Sequence, residues 1–171
     1  MMLCIALDSD IEIRSLELAD APAVESLREG FTSHGDEWLY RGSAQEFIES
    51  ALSDDSESNS LNIGIFELGQ LAGVVICTID AEQKSVRFDY MLGNRYRGRG
   101  LATRAVMGLL EHFLTACGFL EASILVDPEN HKSVAIPERL GFDDAGTIRD
   151  GVKYKTGSGH VRTYKLSVSN K

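Results

Sequence analysis

The stretch from residue 61 to residue 92 constrains the fold more than any other part of the chain, because it contains three strand-like runs in close succession. The runs are LNIGIFEL, LAGVVICTID and KSVRFDYML, and only the turn-like segments LGQ and AEQK join them. Each run contains β-branched residues, and the first and third also contain aromatic residues; both types are typical of strands. Because parallel neighbours need a crossover of about a dozen residues or more, these short joints predict an antiparallel meander.

Helix-like and strand-like segments surround this meander in an order that indicates the fold class. In chain order we predict a strand at 11–16, a helix that Asp20 can cap, a helix from Ser43 to about Leu52, the meander, a helix from about Gly100 to Ala116, a strand at 120–126, a helix from Asn130 to Leu140, and strands around 142–149 and 160–168. The order β-α-α-β-β-β-α-β-α-β-β predicts a mixed α/β sheet with helices packed against it.

The segment NRYRGRGLATRAV at 94–106 follows the meander and places three arginines around a glycine turn, in a chain whose formal net charge is −9. Gly98 and Gly100 directly precede a helical pattern, and Arg95, Arg97 and Arg99 flank them. A helix N-terminus offers unpaired N–H groups and partial positive charge, and glycine lets a ligand approach the backbone closely. The segment therefore predicts an anion site of the kind that binds phosphate.

Three other readings of this glycine turn compete. A P-loop needs a Lys-Ser/Thr pair after its last glycine, but this chain has Leu101-Ala102. A dinucleotide fingerprint needs a third glycine where Thr103 stands, and it needs a parallel βαβ unit, which the meander disfavours. A plain glycine turn with solvated arginines is the third reading.

Composition limits the classes of partner. No apolar run approaches the roughly 20 residues that cross a bilayer, and the opening MMLCIALDSD resembles no secretory leader, so we expect a cytoplasmic protein without a membrane partner. The sequence pI near 4.9 argues against nucleic-acid binding and fits a cationic or amine-bearing substrate.

The cysteines and histidines predict no metal site. The cysteines are Cys4, Cys77 and Cys117, and neither they nor the four histidines show the spacing of metal ligands. Cys77 and Cys117 lie in apolar segments, so we predict that both are reduced thiols in the core.

Two spaced motifs resemble one family. Arg95-x-x-Gly98-x-Gly100 matches the R/Q-x-x-G-x-G/A motif of the GCN5-related N-acetyltransferase (GNAT) superfamily, and it follows a strand and opens a long helix as that motif does. Asn130-x-x-Ser133, which precedes ERLGF, resembles the second conserved region of the family. The run SVAIPERLGFDDAGTIRDG is similar to the RimJ/RimL-like subgroup of ribosomal-protein N-terminal acetyltransferases.

The resemblance extends from residue 11 to about residue 168 and implies a GNAT fold of the α/β (α+β) class. In that fold a mixed, mostly antiparallel sheet has a V-shaped splay between its fourth and fifth strands, here 84–92 and 120–126, and helices lie on both faces. The resemblance implies an N-acetyltransferase domain at 11–171, after an N-terminal extension at 1–10.

The resemblance also implies an activity. The chain would move an acetyl group from acetyl-CoA to a primary amine by direct attack, and the acceptor would be a protein N-terminus such as that of a ribosomal protein. Two alternatives stay open: acetylation of a small-molecule amine, such as a polyamine or an antibiotic, and a non-catalytic CoA-binding module. The resemblance also makes a homodimer possible, because members of the family commonly form one.

By similarity, residues from three segments would bind acetyl-CoA. The pantetheine arm would lie along the splayed strand like an added strand. The residues implied are Tyr90, Met91 and Leu92 along the arm; Arg95 and the backbone amides of Arg97, Gly98, Arg99, Gly100, Leu101 and Ala102 around the pyrophosphate; Asn130, which would hydrogen-bond the arm; and Ser133, near the thioester sulfur.

Acetyl transfer needs a proton acceptor for the amine, a donor for the oxyanion and a proton donor for the thiolate. A free amide near Met91 is our candidate oxyanion donor, and Ser133 is our candidate for the thiolate, unless its hydroxyl only satisfies local backbone. Asp89 is a candidate base, unless it pairs with Arg87 or Lys84 on a solvated face.

The acceptor site is expected in the connection between the first two helices, FTSHGDEWLYRG at 31–42, and in the last hairpin. Aromatic and acidic side chains suit an amine through cation–π contact and charge, although the aromatic residues could instead pin the loop to the core. The candidates are His34, Asp36, Glu37, Trp38 and Tyr40 in the connection, and Tyr154 and Tyr164 in the hairpin.

Pro137 lies well inside the helix that is predicted from Asn130. Proline lacks an N–H group, and its ring presses on the carbonyl of the residue four positions earlier, which is Ser133. We therefore expect a kink or an early end of this helix.

Overall fold

The computed structural model describes residues 2–29, 42–52, 59–149 and 158–168. Within them the strands are β1 (Cys4–Ala6), β2 (Ile11–Ser15), β3 (Ser60–Glu67), β4 (Gln70–Asp80), β5 (Ser85–Leu92), β6 (Glu121–Val126), β7 (Asp143–Ile148) and β8 (Val161–Ser167). The helices are α1 (Ala21–Glu29), α2 (Ala44–Leu52), α3 (Leu101–Leu110) and α4 (His131–Arg139). The described strands form one sheet in the order β1-β2-β3-β4-β5-β6-β8-β7.

The predicted α/β fold is confirmed, and so is the meander. β3 pairs antiparallel with β4, and β4 pairs antiparallel with β5. β5 and β6 pair in parallel, whereas the other neighbouring strands are antiparallel. This is the mixed, mostly antiparallel sheet that the order of segments predicts.

β1 is a strand that the sequence analysis does not predict. Cys4–Ala6 pairs antiparallel with β2, and the neighbouring Leu3 is buried in the core. The sheet therefore continues into the residues that we expected to form an N-terminal extension. Three residues are too few to show a periodic pattern, so only the pairing with β2 reveals the strand.

The two faces of the sheet carry separate cores, and β5 contributes to both because its side chains alternate. Phe88 is fully buried in the larger core, which includes the apolar stripe of α3. Met91 belongs to the smaller core under α1 and α2, with Val24 and Ile48. Helices therefore cover both faces, as the resemblance implies.

Local hydrogen bonds explain where α2 begins. The N–H of Glu46 donates to Ser43 Oγ (3.1 Å), and the N–H of Ser43 donates to the Glu46 carboxylate (2.9 Å). This reciprocal capping box satisfies two N–H groups at the start of the helix, so the predicted cap at Ser43 is confirmed.

The α-helical hydrogen-bonding pattern of α3 ends at Leu110, before the predicted end at Ala116. The helix continues as a π-helical segment from Glu111 to Ala116, where the N–H of Cys117 donates to the carbonyl of His112 (2.9 Å). The wider turn keeps Phe113 buried and Leu114 packed against the core, but it leaves residues 115–117 exposed. Cys117 is therefore exposed, and our prediction of a core thiol there is wrong, whereas Cys77 is buried as predicted.

The parallel pairing of β5 with β6 is short. It joins Ser85–Phe88 to Glu121–Ile124 and ends there, although β5 runs on to Leu92 and β6 to Val126. The end of β5 stays with β4, and the end of β6 stays with β8. A gap therefore opens inside the sheet, and the predicted splay is present.

No helix among the described residues is long and apolar enough to cross a membrane.

We predict that Gly73→Ala disturbs the end of β5. Gly73 lies opposite Leu92, and a Cβ there would collide with the carbonyl oxygen of Met91 and the side chain of Leu92. Forcing the two strands apart should lower the free energy of unfolding by about 2 kcal/mol, measured by urea denaturation. An unchanged unfolding midpoint would contradict this close packing of β4 on β5.

Candidate active site

The glycine turn has the open backbone that an anion site needs. Gly98 and Gly100 have φ values of +77° and +76°, and Gly100 is the N-cap of α3. A Cβ at either position would meet no heavy atom within 4 Å. Packing against neighbours therefore does not explain the glycines. The left-handed backbone favours glycine, and the absence of a side chain keeps the space above the backbone open to a ligand.

Two of the three arginines brace this turn against the β3–β4 hairpin. The Arg99 guanidinium donates to Glu67 (2.6 Å), and that of Arg95 donates to Gln70 (3.4 Å). Both guanidinium groups lie over the ring of Tyr96, 5.3 and 5.5 Å from its centroid, and Tyr96 is buried. Side chains thus fix the loop, and the backbone at Gly98 and Gly100 stays open to a ligand. The N–H of Arg97, in contrast, donates to the carbonyl of Asn94 (3.5 Å).

Hydrogen-bond alternation decides which backbone groups of β5 face the gap. The N–H of Gly93, the residue after β5, donates to the carbonyl of Ala72 in β4 (2.8 Å). The backbone N–H of residue 93 therefore points toward β4. The carbonyl of Lys84 accepts from the N–H of Leu120 (2.7 Å), which precedes β6. Both bonds agree on the alternation: even-numbered residues of β5 direct their backbone N–H and C=O groups toward β6, and odd-numbered residues direct theirs toward β4.

This alternation places the N–H groups of Tyr90 and Leu92 at the gap. The N–H of Met91 faces β4, and its side chain is buried in the core under α1 and α2. The oxyanion donor that we expected near Met91 is therefore to be sought at its two neighbours. The Leu92 carbonyl also faces away from β4 and accepts from Arg97 Nε (3.2 Å).

The first turn of α4 forms the other wall of the site. The Tyr90 hydroxyl donates to the carbonyl of Ser133 (2.9 Å), which brings this turn beside β5 where the gap opens. Asn130 caps the helix, because its Oδ1 accepts from the N–H of Ser133 (3.3 Å). The cap occupies the oxygen of the carboxamide and leaves the two N–H donors of its Nδ2 for a ligand.

The hydroxyl of Ser133 makes no hydrogen bond to any residue in the described part of the chain. It does not satisfy local backbone, since the carboxamide of Asn130 fills that role. Ser133 is therefore able to donate to a ligand from the first turn of α4.

Asp89 lies on the other face of β5, the face that α1 and α2 cover. Its carboxylate accepts from Arg87 Nε (3.2 Å), which is one of the two pairings that we considered for it. Burial raises the pKa of this carboxyl, and the nearby Arg87 charge lowers it by a smaller amount. A carboxylate with a raised pKa is a better proton acceptor than an ordinary aspartate.

Most of the predicted acceptor residues cannot be placed. His34, Asp36, Glu37, Trp38 and Tyr40, together with Tyr154, lie outside the described residues. Tyr164 is described and almost fully buried, and its hydroxyl donates to Glu138 of α4 (3.0 Å). It packs in the larger core and connects β8 to α4.

Sequence reasoning missed the residues that hold the site in place. Nothing in the pattern singled out Tyr96 or Glu67 as braces of the glycine turn, because Glu67 lies 32 positions from its partner Arg99 and the burial of Tyr96 depends on the tertiary fold. One signal for the contact of Tyr90 was available: Pro137 leaves the Ser133 carbonyl without a helical donor, which indicates that another group must supply one.

Comparison with known proteins agrees with this geometry. The family model described as "Acetyltransferase (GNAT) domain" matches residues 10–143, which include the glycine turn and α4. YdaF of Bacillus subtilis, a candidate ribosomal N-acetyltransferase by its name, is 27% identical over 163 residues, or 90% of this chain and 88% of YdaF. Spermidine N(1)-acetyltransferase of Escherichia coli K12 is 31% identical over 81 residues, or 47% of this chain and 44% of that protein.

A solved structure shares the fold. RimL, a ribosomal L7/L12 alpha-N-protein acetyltransferase in complex with coenzyme A, superposes with a TM-score of 0.83 at 19% identity and covers 97% of this chain and 98% of its own.

We predict that Gly98→Ala weakens acetyl-CoA binding by about tenfold or more, measured by calorimetry, because a methyl group would enter the space above the loop amides. Gly118→Ala is the matched control, since Gly118 has φ +72° and an equally open Cβ position at the end of the π-helical segment. Each change should cost about 1 kcal/mol of stability through left-handed strain, and only Gly98→Ala should reduce affinity. Equal affinities in the two variants would exclude the glycine turn as the anion site.

Proposed function

This chain belongs to the acetyltransferase (GNAT) domain family, and from that premise we propose that it acetylates the N-terminal amine of a protein. That it is an acetyl-CoA-dependent N-acetyltransferase follows from the family and from the named relatives. The acceptor and the roles of individual residues are the substance of the proposal.

The observation that carries the proposal is the gap between β5 and β6, with the glycine turn at one end of it. The gap exposes the N–H groups of Tyr90 and Leu92, to which an extended pantetheine arm can add like a strand. The open amides around Gly98 and Gly100 suit the pyrophosphate. Asn130 offers its Nδ2 donors from the opposite wall.

The residues around the gap supply the groups that acyl transfer needs. The new bond forms between the amine nitrogen and the acetyl carbon, and the carbon–sulfur bond breaks. An N–H group of Tyr90 or Leu92 donates to the carbonyl oxygen as it gains negative charge. The hydroxyl of Ser133 donates a hydrogen bond to the departing thiolate.

Asp89 is suited to the acceptor side of the reaction. It lies on the face of β5 opposite to the side chain of Tyr90, so a donor held along α4 and an acceptor held near Asp89 would meet in the gap. A free amine is mostly protonated at neutral pH, and the carboxylate of Asp89 can attract the ammonium group and accept a proton from it.

Protein and small-molecule acceptors both have support. YdaF and RimL carry names that refer to ribosomal substrates, and the match to YdaF covers most of both chains. The match to spermidine N(1)-acetyltransferase covers less than half of each chain, and the net charge of −9 also suits a polyamine. The broader match favours a protein N-terminus, and spermidine acetylation is the second candidate.

We predict that the pH profile of kcat/KM has an acidic limb at a pKa above the ordinary aspartate value, because activity is lost once Asp89 is protonated. Asp89→Asn should lower kcat by about 100-fold and abolish this limb. Arg87→Gln should move the limb to higher pH, since it removes the charge that lowers the pKa of Asp89. If Asp89→Asn keeps the wild-type kcat and profile, Asp89 is only the ion-pair partner of Arg87.

We predict that peptides with a free N-terminus are better acceptors than spermidine by at least about tenfold in kcat/KM, measured as thiol release from acetyl-CoA. The same peptides with blocked N-termini are the control and should give only background release. Faster release with spermidine would assign the chain to polyamine acetylation. Release with neither class would contradict the proposal.

A further inference from the structure

Pro137 deprives one carbonyl of its helical partner. It is buried within α4, and the helix ends only two residues later at Arg139. In a regular helix the N–H of residue 137 would donate to the carbonyl of Ser133, but proline has no N–H and its ring pushes that carbonyl outward. An orphaned carbonyl near the core is costly, so another donor is needed.

Tyr90 supplies that donor from a strand 43 residues away. Its hydroxyl lies 2.9 Å from the Ser133 carbonyl oxygen, and the bond joins β5 directly to the first turn of α4. Burial raises the pKa of Tyr90, so the hydroxyl stays protonated and able to donate at neutral pH. A separate hydrogen bond, from the Tyr164 hydroxyl to the Glu138 carboxylate, holds the C-terminal end of α4.

We propose that Tyr90 is a positioning residue: its hydroxyl takes the place of the N–H that Pro137 lacks, and it thereby holds Ser133 and Asn130 at the gap between β5 and β6. This inference rests on the proposed function, because it concerns the placement of groups that serve acetyl transfer.

The described contacts explain why this bond governs placement. Ser133 Oγ has no hydrogen bond within the described residues, so its position follows the backbone of the first turn. That backbone is held on one side by the Asn130 cap and on the other by Tyr90. Because displacements of about 1 Å can cost large factors in rate, a loosened first turn should affect kcat.

The test is a double-mutant cycle with Tyr90→Phe, Pro137→Ala and the double variant. Tyr90→Phe should lower kcat about tenfold, with KM for acetyl-CoA changed by less than about twofold, since the ring and the backbone of β5 are kept. In the Pro137→Ala background the residue at position 137 has an N–H that can donate to the Ser133 carbonyl. There Tyr90→Phe should lower kcat by less than about threefold.

Tyr164→Phe is the matched control, because it removes a hydroxyl from the other tie of the same helix. Its effect should be the same whether residue 137 is proline or alanine. Equal losses of kcat for Tyr90→Phe in both backgrounds, or no loss in either, would overturn the proposal.

Amide hydrogen exchange tests the proposal without any activity. Tyr90→Phe should speed exchange in the first turn of α4 by about tenfold, and Pro137→Ala should suppress that increase. If the wild-type protein acetylates no amine, the proposed function fails, and the exchange cycle still decides whether Tyr90 holds this turn. Unchanged exchange in Tyr90→Phe would refute the bond as its anchor.

Discussion

Four residue pairs hold β5 beside β6, and the site depends on where that pairing stops. Beyond Phe88 and Ile124, each strand stays with its outer neighbour, so the two edges separate without leaving either strand unsupported. The separation exposes backbone N–H and C=O groups inside a sheet that otherwise pairs them. Unpaired backbone groups in a protein interior need partners, and an extended ligand can provide them.

The two faces of the sheet give the two sides of this gap different chemistry. On one face the Tyr90 hydroxyl reaches the backbone carbonyl of Ser133 in α4, and within the described residues the Ser133 hydroxyl makes no hydrogen bond. On the other face Met91 is buried under α1 and α2, and Asp89 is paired with Arg87. Because strand side chains alternate, neighbouring residues of β5 lie on opposite sides of this gap.

The arginines near the glycine turn hold the loop in place as well as adding positive charge beside it. Arg95 and Arg99 contact Tyr96 and polar partners on the β3–β4 hairpin, and these contacts hold a loop whose glycines carry no packing of their own. A preorganised set of amides costs less to fill than a mobile one. The net charge of −9 suits an amine better than an anionic cofactor such as acetyl-CoA, so binding that cofactor requires a local group of donors.

The sequence by itself determined the order of elements, the meander, the glycine turn before α3 and the motif around Asn130 and Ser133, because periodicity and turn chemistry are local properties. It did not reveal β1, which exists only through pairing with β2, or the π-helical segment that exposes Cys117. Only the tertiary structure decided that the N–H of Met91 faces β4, since a shift of one residue in register reverses every backbone group. It also decided that Tyr90 satisfies the Ser133 carbonyl, because a proline in a sequence shows that a donor is missing but not which distant residue replaces it.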